Sequence, residues 1–214
     1  MKYARTLWVT AVFLLVAMGV AVWLYPALPA LVPSHWNAAG QVNGHQPRLV
    51  AVVFAPGMIL VLALLTLGLP GLAPRRFGVG AFASAWGAVM LAVQGVVLVL
   101  GITVLLVGAG YAVPVNTILL LAVGAFFMVA GNYMGKLRRN FFIGIRTPWT
   151  LTSDEVWERT HRLGGWTFAA GGLLIVVSAL AHAPVWVSFG LLALAVLVPC
   201  VYSLLLYRRL EGRG

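Results

Sequence analysis

The sequence predicts an all-α, polytopic membrane protein with six transmembrane helices. Of its 214 residues, 62% are hydrophobic and only 8% are charged, whereas a soluble domain carries roughly 25% charged residues. The apolar residues form continuous runs of about twenty, the length that a bilayer-spanning helix needs. A transmembrane β-barrel would instead alternate apolar and polar residues. Lipid must therefore form part of the solvent of this chain.

Six apolar segments can be delimited along the chain. They cover residues 6–25, 48–69, 78–107, 114–134, 165–181 and 185–207. The first segment follows Lys2 and Arg5, as in a signal peptide, but it is longer than the roughly 7–15 apolar residues of such peptides. We therefore expect an uncleaved first helix and a multi-pass protein of the bacterial inner membrane.

The basic residues predict the orientation in the membrane. If the N-terminus is inside, thirteen of the fourteen Lys and Arg residues lie in cytoplasmic segments, and only Arg48 lies in an outer one. Lys and Arg collect on the cytoplasmic side and set the orientation, so we expect both termini in the cytoplasm. The net charge of +10 then follows from topology, and we expect no direct binding of nucleic acid.

Two polar loops divide the chain into two parts. Residues 1–77 form an N-terminal helical pair with an outer loop at 26–47, and residues 78–214 form a four-helix region with a cytoplasmic loop at 135–164. Prolines in the outer loop exclude a regular helix there, and its Asn and Gly residues favour turns. The cytoplasmic loop holds three of the four acidic residues and six of the fourteen basic ones. We expect function to reside in these two loops.

The second half of the cytoplasmic loop predicts a short helix over residues 153–163. Thr152 is its expected N-cap, with Glu155 completing a capping box. Gly164 and Gly165 are expected to cap or interrupt this helix before the next span begins. Trp157 on this helix is expected to lie at the lipid interface.

The first half of the same loop is basic and aromatic. One interpretation is a binding site for an acidic partner or a lipid head group. The other is simple anchoring, with Phe141 and Phe142 dipping into the membrane interface. Pro148 restricts the preceding residue to an extended backbone. Residues 146–149 should therefore form a defined turn, to which Asn132 and Asn140 can hydrogen-bond.

Polar features within the spans are few. Gln94 is expected to make a hydrogen bond between helices, with a pore or substrate contact as the alternative. Gly131 and Gly135 form a small-xxx-small pair that favours close helix packing. Charged residues are confined to the edges of the spans, which argues against an ion-coupled transporter.

Motifs in both loops resemble one known family, the SdpI family. The cytoplasmic resemblance rests on Asn132, Asn140, the run GIRTPWTL at residues 144–151, Trp157 and His161. The outer loop is similar to a short domain of unknown function that commonly precedes the SdpI region. That similarity rests on Pro29, Pro33, His35, Asn37, Gly40 and Asn43.

The resemblance implies a membrane protein that gives immunity to, or senses, an external antimicrobial peptide. It also implies that the protein sequesters a cytoplasmic transcriptional repressor, as some members do. The implied partners are membrane lipid, a secreted peptide toxin and that repressor. It supplies no catalytic residue and no cofactor, so the chain is expected not to be an enzyme.

Two sets of candidate site residues follow. The residues expected to face a ligand or toxin are His35, Trp36, Asn37, Gly40, Asn43 and His45. The cytoplasmic motif comprises Asn132, Asn140, Gly144, Arg146, Thr147, Pro148, Trp149, Trp157 and His161. The two histidines of the outer loop lack the third and fourth ligands of a zinc site, and we expect no bound metal.

Two other functions remain as alternatives. One is transport of a small molecule or a lipid. The other is a membrane enzyme that acts on a phosphorylated lipid through Arg146 and His161. The chain has no HExxH, G-x-S-x-G or Walker motif, so neither zinc-protease, serine-hydrolase nor P-loop chemistry is indicated.

Overall fold

A computed structural model of the protein describes residues 3–74 and 77–211. Its helices are α1 (Ala4–Leu24), α2 (Arg48–Leu72), α3 (Ala83–Gly108), α4 (Val115–Met134), the short α5 (Pro148–Thr152), α6 (Asp154–Leu180) and α7 (Val185–Glu211). All except α5 are long and apolar enough to cross a membrane. The predicted all-α, multi-pass membrane protein is thereby confirmed. The basic residues Lys2, Arg75, Arg76 and Arg213 lie outside the described residues.

The six long helices run alternately up and down, so the molecule has two distinct ends. One end, the hairpin end, carries the strands β1 (Leu31–Trp36) and β2 (Val42–Pro47) between α1 and α2. The other, the loop end, carries residues 135–153 between α4 and α6. The two candidate sets predicted from the sequence therefore lie at opposite ends of the bundle. The candidates that belong to long helices, Asn132, Trp157 and His161, lie at the loop end of α4 and α6.

Helix α3 is central, since it packs against α1, α2 and α4, while α6 packs against α4 and α7. Glycines allow α4 and α6 to approach closely. A Cβ atom on Gly131 would lie 2.7 Å from the carbonyl oxygen of Gly165, and one on Gly124 would lie 2.7 Å from that of Gly172. Gly135 has no neighbour within 4 Å of such an atom. The predicted small-residue contact is thus correct at Gly131 and wrong at Gly135.

A polar contact also joins helices inside the bundle. Gln94 on α3 is fully buried, and the hydroxyl of Thr10 on α1 donates a hydrogen bond of 2.7 Å to its Oε1 atom. The interhelical hydrogen bond predicted for Gln94 is confirmed. Such a bond is worth about 1 kcal/mol within a membrane, so it fixes the rotation of α1 more than it stabilises the fold.

The largest buried cluster lies at the loop end. It contains Trp86 of α3, Met134 of α4 and Trp157 of α6, together with Leu137 and Ile145 from the loop. The loop is therefore folded onto the helices, and its apolar side chains complete their core. A loop packed in this way presents a fixed arrangement of polar groups to the solvent.

Helix α6 differs from the sequence-based prediction. It runs without a break through Gly164 and Gly165, which were expected to cap or interrupt a separate short helix. Both glycines face α4 instead: a Cβ atom on Gly164 would lie 2.5 Å from the sulfur of Met134. The close approach of α4 leaves no room for larger side chains at these two positions. Tertiary packing supports the helix, so it tolerates two glycines in its interior.

The start of α6 also differs from the prediction by one residue. The N-cap is Ser153, whose hydroxyl accepts a hydrogen bond of 3.3 Å from the backbone N–H of Val156. Thr152 instead ends α5. The preceding Pro148 starts that additional helix, which shifts the available cap to Ser153.

Helix α2 continues three residues beyond the predicted end at residue 69, through Pro70 to Leu72. Proline lacks a backbone donor, but inside a membrane helix its neighbours can compensate for the lost hydrogen bond. The second proline of this helix, Pro56, lies within the span as predicted.

Candidate functional sites

The loop end is built around the short helix α5. Thr147 precedes it with an extended backbone (φ −85°, ψ 160°), as Pro148 requires. Thr147 and Thr150 form a reciprocal capping box: the N–H of Thr147 donates to Thr150 Oγ1 at 2.9 Å, and the N–H of Thr150 donates to Thr147 Oγ1 at 3.3 Å. The Thr150 hydroxyl also donates to the carbonyl of Ile145 at 2.8 Å. The predicted turn at 146–149 is therefore the start of a capped helix.

His161 on α6 is hydrogen-bonded to the same loop. Its ring is 1% exposed, and its Nε2 atom accepts a hydrogen bond of 2.9 Å from the backbone N–H of Ile145. Because a peptide N–H can only donate, Nε2 carries no proton, and Nδ1–H donates to the carbonyl of Trp157 at 2.8 Å. The imidazole is thus neutral and both ring nitrogens are occupied, so it serves as a structural hydrogen-bonding group.

Trp157 was expected at the lipid interface, and this prediction is wrong. Its side chain is 1% exposed, its Nε1–H donates to the carbonyl of Leu137 at 2.8 Å, and its ring stacks on His161 with 3.9 Å between centroids. The loop folds back over the first turns of α6 and covers both rings. Local sequence could not show this covering, because it depends on where residues 137–145 pack.

Gly144 allows the loop to lie against these two rings. Its φ angle of +111° is one that side chains with a Cβ atom rarely adopt. A Cβ atom here would collide with Nε2 of His161 and would lie 3.3 Å from the Trp157 ring. Glycine is therefore required at this position both by the backbone and by the available space.

Asn140 shapes the preceding part of the loop. It is fully buried, and its Oδ1 atom accepts hydrogen bonds from the N–H groups of Phe142 and Ile143 at 2.8 and 2.9 Å. Its amide donates to the carbonyl of Arg138 at 2.8 Å. Asn140 therefore organises residues 138–143 rather than the turn at 146–149. Asn132, predicted as its companion, is exposed on α4.

Charged side chains surround this buried core. The ion pairs are Arg138–Glu158 at 2.7 Å, Arg139–Asp154 at 2.9 Å and Arg159–Glu155 at 2.7 Å. Within residues 77–211, no ion pair involves Lys136, Arg146 or Arg162. These three exposed cations give residues 135–164 their excess of positive charge.

Arg146 and Trp149 lie on the outside of the same loop. The Arg146 guanidinium is exposed and donates to the carbonyl of Phe141. The indole N–H of Trp149 donates to the hydroxyl of Ser203 on α7 at 2.5 Å. Trp149 thus connects the loop to the last helix, whereas Arg146 remains accessible to a partner.

At the opposite end, the outer loop forms an antiparallel hairpin of β1 and β2. The prediction of turns there did not extend to paired strands. Pro33 lies within β1 opposite His45; a proline is tolerated in this two-stranded sheet because each strand is an edge. Nδ1–H of His35 donates a hydrogen bond of 2.5 Å to Oδ1 of Asn43, which links the two strands through side chains.

The tip of the hairpin is a tight turn built by Asn37. Its Oδ1 atom accepts hydrogen bonds from the N–H groups of Ala39 and Gln41 at 3.0 and 2.9 Å. Gly40 has a φ angle of +77°, the left-handed conformation that glycine adopts without strain. Asn37 and Gly40 therefore have clear structural roles in shaping this tip.

A cavity of about 340 Å³ lies beneath the hairpin. His35, Trp36 and Asn37 line its upper side, and its walls come from α4, α6 and α7, namely Asn116, Leu119, Leu120, Val123, Ile175, Val185, Ser188, Phe189 and Leu192. The amide of Asn116 donates to the carbonyl of Ala38 at 3.2 Å and so ties the hairpin to α4. Gly40, Asn43 and His45 are exposed and do not line the cavity.

Comparisons with known proteins match both regions of the chain that carry the loop motifs. The model of the SdpI/YfhL protein family matches residues 136–203, and that of a domain of unknown function (DUF1648) matches residues 12–60. The chain is 25% identical over 195 residues to the immunity protein SdpI of Bacillus subtilis (strain 168). The aligned region covers 88% of this chain and 89% of that protein. Residues 136–203 of this chain are thus similar to the SdpI/YfhL family. No solved structure matches it.

The SdpI/YfhL match begins at Lys136 and includes the whole cytoplasmic motif except Asn132. The DUF1648 match includes the whole hairpin. The resemblance inferred from the two loops is confirmed, as is the assignment to a multi-pass bacterial membrane protein.

Several residues that complete the two candidate sites were not predicted. Thr150 could have been found, because it follows Thr147 at the spacing of a capping box, with a proline at the first helical position. No local sequence pattern indicated that Asn116, Ile175 and Ser203 belong to these sites. Each lies far along the chain from the loop that it contacts, and only helix packing brings them together.

Proposed function

We propose that this protein is an immunity protein whose hairpin end faces outward and binds a secreted antimicrobial peptide. The match to the SdpI/YfhL family model and the similarity to a protein named for immunity support this function. The excess of Lys and Arg at the loop end supports the orientation, because such residues remain in the cytoplasm. The observation that carries the proposal is the cavity lined by the hairpin and three membrane helices.

The cavity suits an apolar side chain of a peptide. Its volume of about 340 Å³ lies at the small end of the roughly 300–1,000 Å³ typical of ligand sites. Leucine, isoleucine, valine and phenylalanine side chains form most of its wall, and polar groups of His35, Asn37 and Asn116 lie toward the hairpin. These groups would hydrogen-bond the peptide backbone while the apolar side chain enters beneath them.

Helix α6 connects this cavity to the loop end. Ile175 lines the cavity, and Trp157, eighteen residues earlier on the same unbroken helix, supports the loop. At 1.5 Å per residue the two are about 27 Å apart. A shift of α6 caused by an occupied cavity would move the rings of Trp157 and His161, against which residues 144 and 145 are packed.

The loop end would act as the cytoplasmic output surface. Lys136, Arg146 and Arg162 are exposed and outside the ion pairs of this loop. A surface of this kind attracts an acidic partner, here an acidic patch on a transcriptional repressor. In this arrangement residues 1–77 supply the recognition hairpin and residues 78–214 supply the output loop.

Catalysis is the less favoured alternative. His161, one of the two residues considered for action on a phosphorylated lipid, is buried and hydrogen-bonded at both ring nitrogens. A phosphorylated lipid would have to displace the loop to reach it. We therefore assign His161 to support of the loop.

The proposal can be tested in a susceptible bacterium that expresses the chain and is exposed to cell-free culture fluid of the organism that encodes it. Wild-type protein should protect, whereas Trp36→Ala and the cavity-filling Val123→Phe should reduce survival by at least tenfold at equal protein level. His45→Ala is the matched control, because this residue lies on the same hairpin but outside the cavity. Full protection by both cavity variants would reject the site.

A second measurement addresses the output surface. Transcripts of the encoding organism would be compared before and after exposure to the same fluid. Arg146→Ala should abolish the transcriptional response while survival and protein level stay near wild type, since the Arg146 side chain is exposed and its hydrogen bond goes to the carbonyl of Phe141 in the same loop. If Arg146→Ala only lowers the amount of protein, the loop is structural and the output role is wrong.

A further inference from the structure

A lateral groove opens between α1 and α4, with α3 as its floor. It has a volume of about 700 Å³. Its apolar lining includes Val9 and Phe13 of α1, Ala92 and Gly95 of α3, and Phe126 of α4. The α3 residues on its floor extend from Ala83 to Val99, which is about 24 Å at 1.5 Å per residue. This exceeds the roughly 15 Å half-thickness of a bilayer core.

One end of the groove is polar. Arg5, Thr6, Ser84 and Tyr133 line it there, and all of them lie at the loop end of their helices. The ammonium group of Lys136 lies 4.7 Å from the centre of the Tyr133 ring. A cation is thus held where the apolar groove reaches the membrane surface.

A second cavity of about 490 Å³ adjoins this polar end. Its lining includes Ala81, three residues before Ser84 of the groove, and Lys136, three residues after Tyr133 of the groove. Lys136, Arg138 and Arg162 contribute three positive charges to it, against one negative charge from Glu158. Arg138 is paired with Glu158 at 2.7 Å, which leaves two cations for an anion.

The neighbouring cavity on the other side of Arg138 provides a useful contrast. It is lined by Arg138, Arg139, Asp154, Trp157 and Glu158, so its positive and negative charges balance. The excess of positive charge is therefore specific to the cavity next to the groove.

We propose that the groove and the adjoining basic cavity together bind one anionic phospholipid from the membrane leaflet at the loop end. An acyl chain lies along Ala92 and Phe126, and the phosphate lies between Lys136 and Arg162. A chain-length apolar channel that ends at two available cations matches a lipid with a negative head group better than it matches a soluble anion. The site is separate from the cavity beneath the hairpin and does not depend on peptide binding there. It does use Lys136 and Arg162, two of the three cations of the proposed output surface, so a lipid bound here would occupy part of that surface.

The full chain, reconstituted into vesicles of equimolar phosphatidylglycerol and phosphatidylcholine, allows a direct test. After extraction in mild detergent, native mass spectrometry counts the lipids of each type that remain bound. One phosphatidylglycerol should be retained per chain, in preference to phosphatidylcholine. The double variant Lys136→Gln/Arg162→Gln should lower that preference by up to about thirtyfold, because each of the two surface cations contributes about 1 kcal/mol to attraction of anionic lipid.

Arg208→Gln/Arg209→Gln is the matched control, since it removes two cations from the loop end of α7, outside both cavities. It should leave the preference unchanged. Ala92→Phe fills the groove and should reduce retention of any lipid while the melting temperature stays within a few degrees of wild type. Equal retention of the two lipids by wild-type protein, an equal effect of the α7 control, or undiminished retention by Ala92→Phe would each overturn the proposal.

Discussion

Replacing Gly144 with alanine tests how the loop is held at the loop end. The substitution has two separate costs in this structure. A side chain at a φ angle of +111° strains the backbone by about 1–3 kcal/mol. The added methyl group also collides with the His161 ring, and overpacking of this kind costs about 1–3 kcal/mol.

The two costs are not independent, because a shift of the loop relieves both. We therefore expect a total loss of about 2–4 kcal/mol for Gly144→Ala. For a chain of this length, such a loss lowers Tm by roughly 4–16 °C. The loop would move away from Trp157, whose indole fluorescence should change as its stacking on His161 at 3.9 Å is lost.

Two other glycines separate the contributions. Gly110 has a φ angle of +90° but no atom within 4 Å of an added Cβ, so Gly110→Ala measures strain alone. Gly135 has a helical backbone with φ of −66° and the same free space, so Gly135→Ala should be nearly neutral. The measurement is Tm of the purified protein in one detergent at one scan rate, followed by tryptophan fluorescence. If Gly144→Ala melts at the same temperature as Gly135→Ala, the packing inferred for this loop is wrong.

Two further predictions concern contacts between helices. Gly131→Leu should force α4 away from Gly165 and lower Tm strongly or prevent accumulation, whereas Gly19→Leu, at a site with no atom within 4 Å, should have little effect; similar behaviour of the two would contradict the close contact. Thr10→Val should cost about 1 kcal/mol through its lost bond to Gln94. Adding Gln94→Leu should recover part of that loss, because it removes the buried amide left unpaired. A larger loss in the double variant would show that Gln94 has another role.

The number and approximate limits of the membrane helices could be predicted from composition and the length of the apolar runs. This worked because a backbone in lipid must satisfy its own hydrogen bonds, so each long apolar segment becomes a helix regardless of its neighbours. The error at residues 153–181 has the opposite cause. Gly164 and Gly165 are local helix breakers, but the close approach of α4 decides their role, and a local pattern cannot show a distant helix.

The local backbone features of the candidate sites could be predicted from the sequence, but their tertiary contacts could not. Pro148 alone determines the extended backbone of Thr147, and the two loop motifs were enough to indicate the SdpI family. The burial of Trp157 was not predictable, since its cover comes from Leu137, Gly144 and Ile145. The cavity beneath the hairpin likewise depends on Asn116 and Ile175, which belong to helices distant in sequence.

By itself, the sequence determined that this is an integral membrane protein with six membrane-spanning helices, whose polar groups are concentrated in two loops. These properties depend on the transfer of side chains between water and lipid, which is a property of each segment alone. Only the tertiary structure decided that one unbroken helix, α6, joins the cavity at the hairpin end to the packed loop at the other end. That connection arises from contacts between segments far apart in the chain, and such contacts form only when the helices pack.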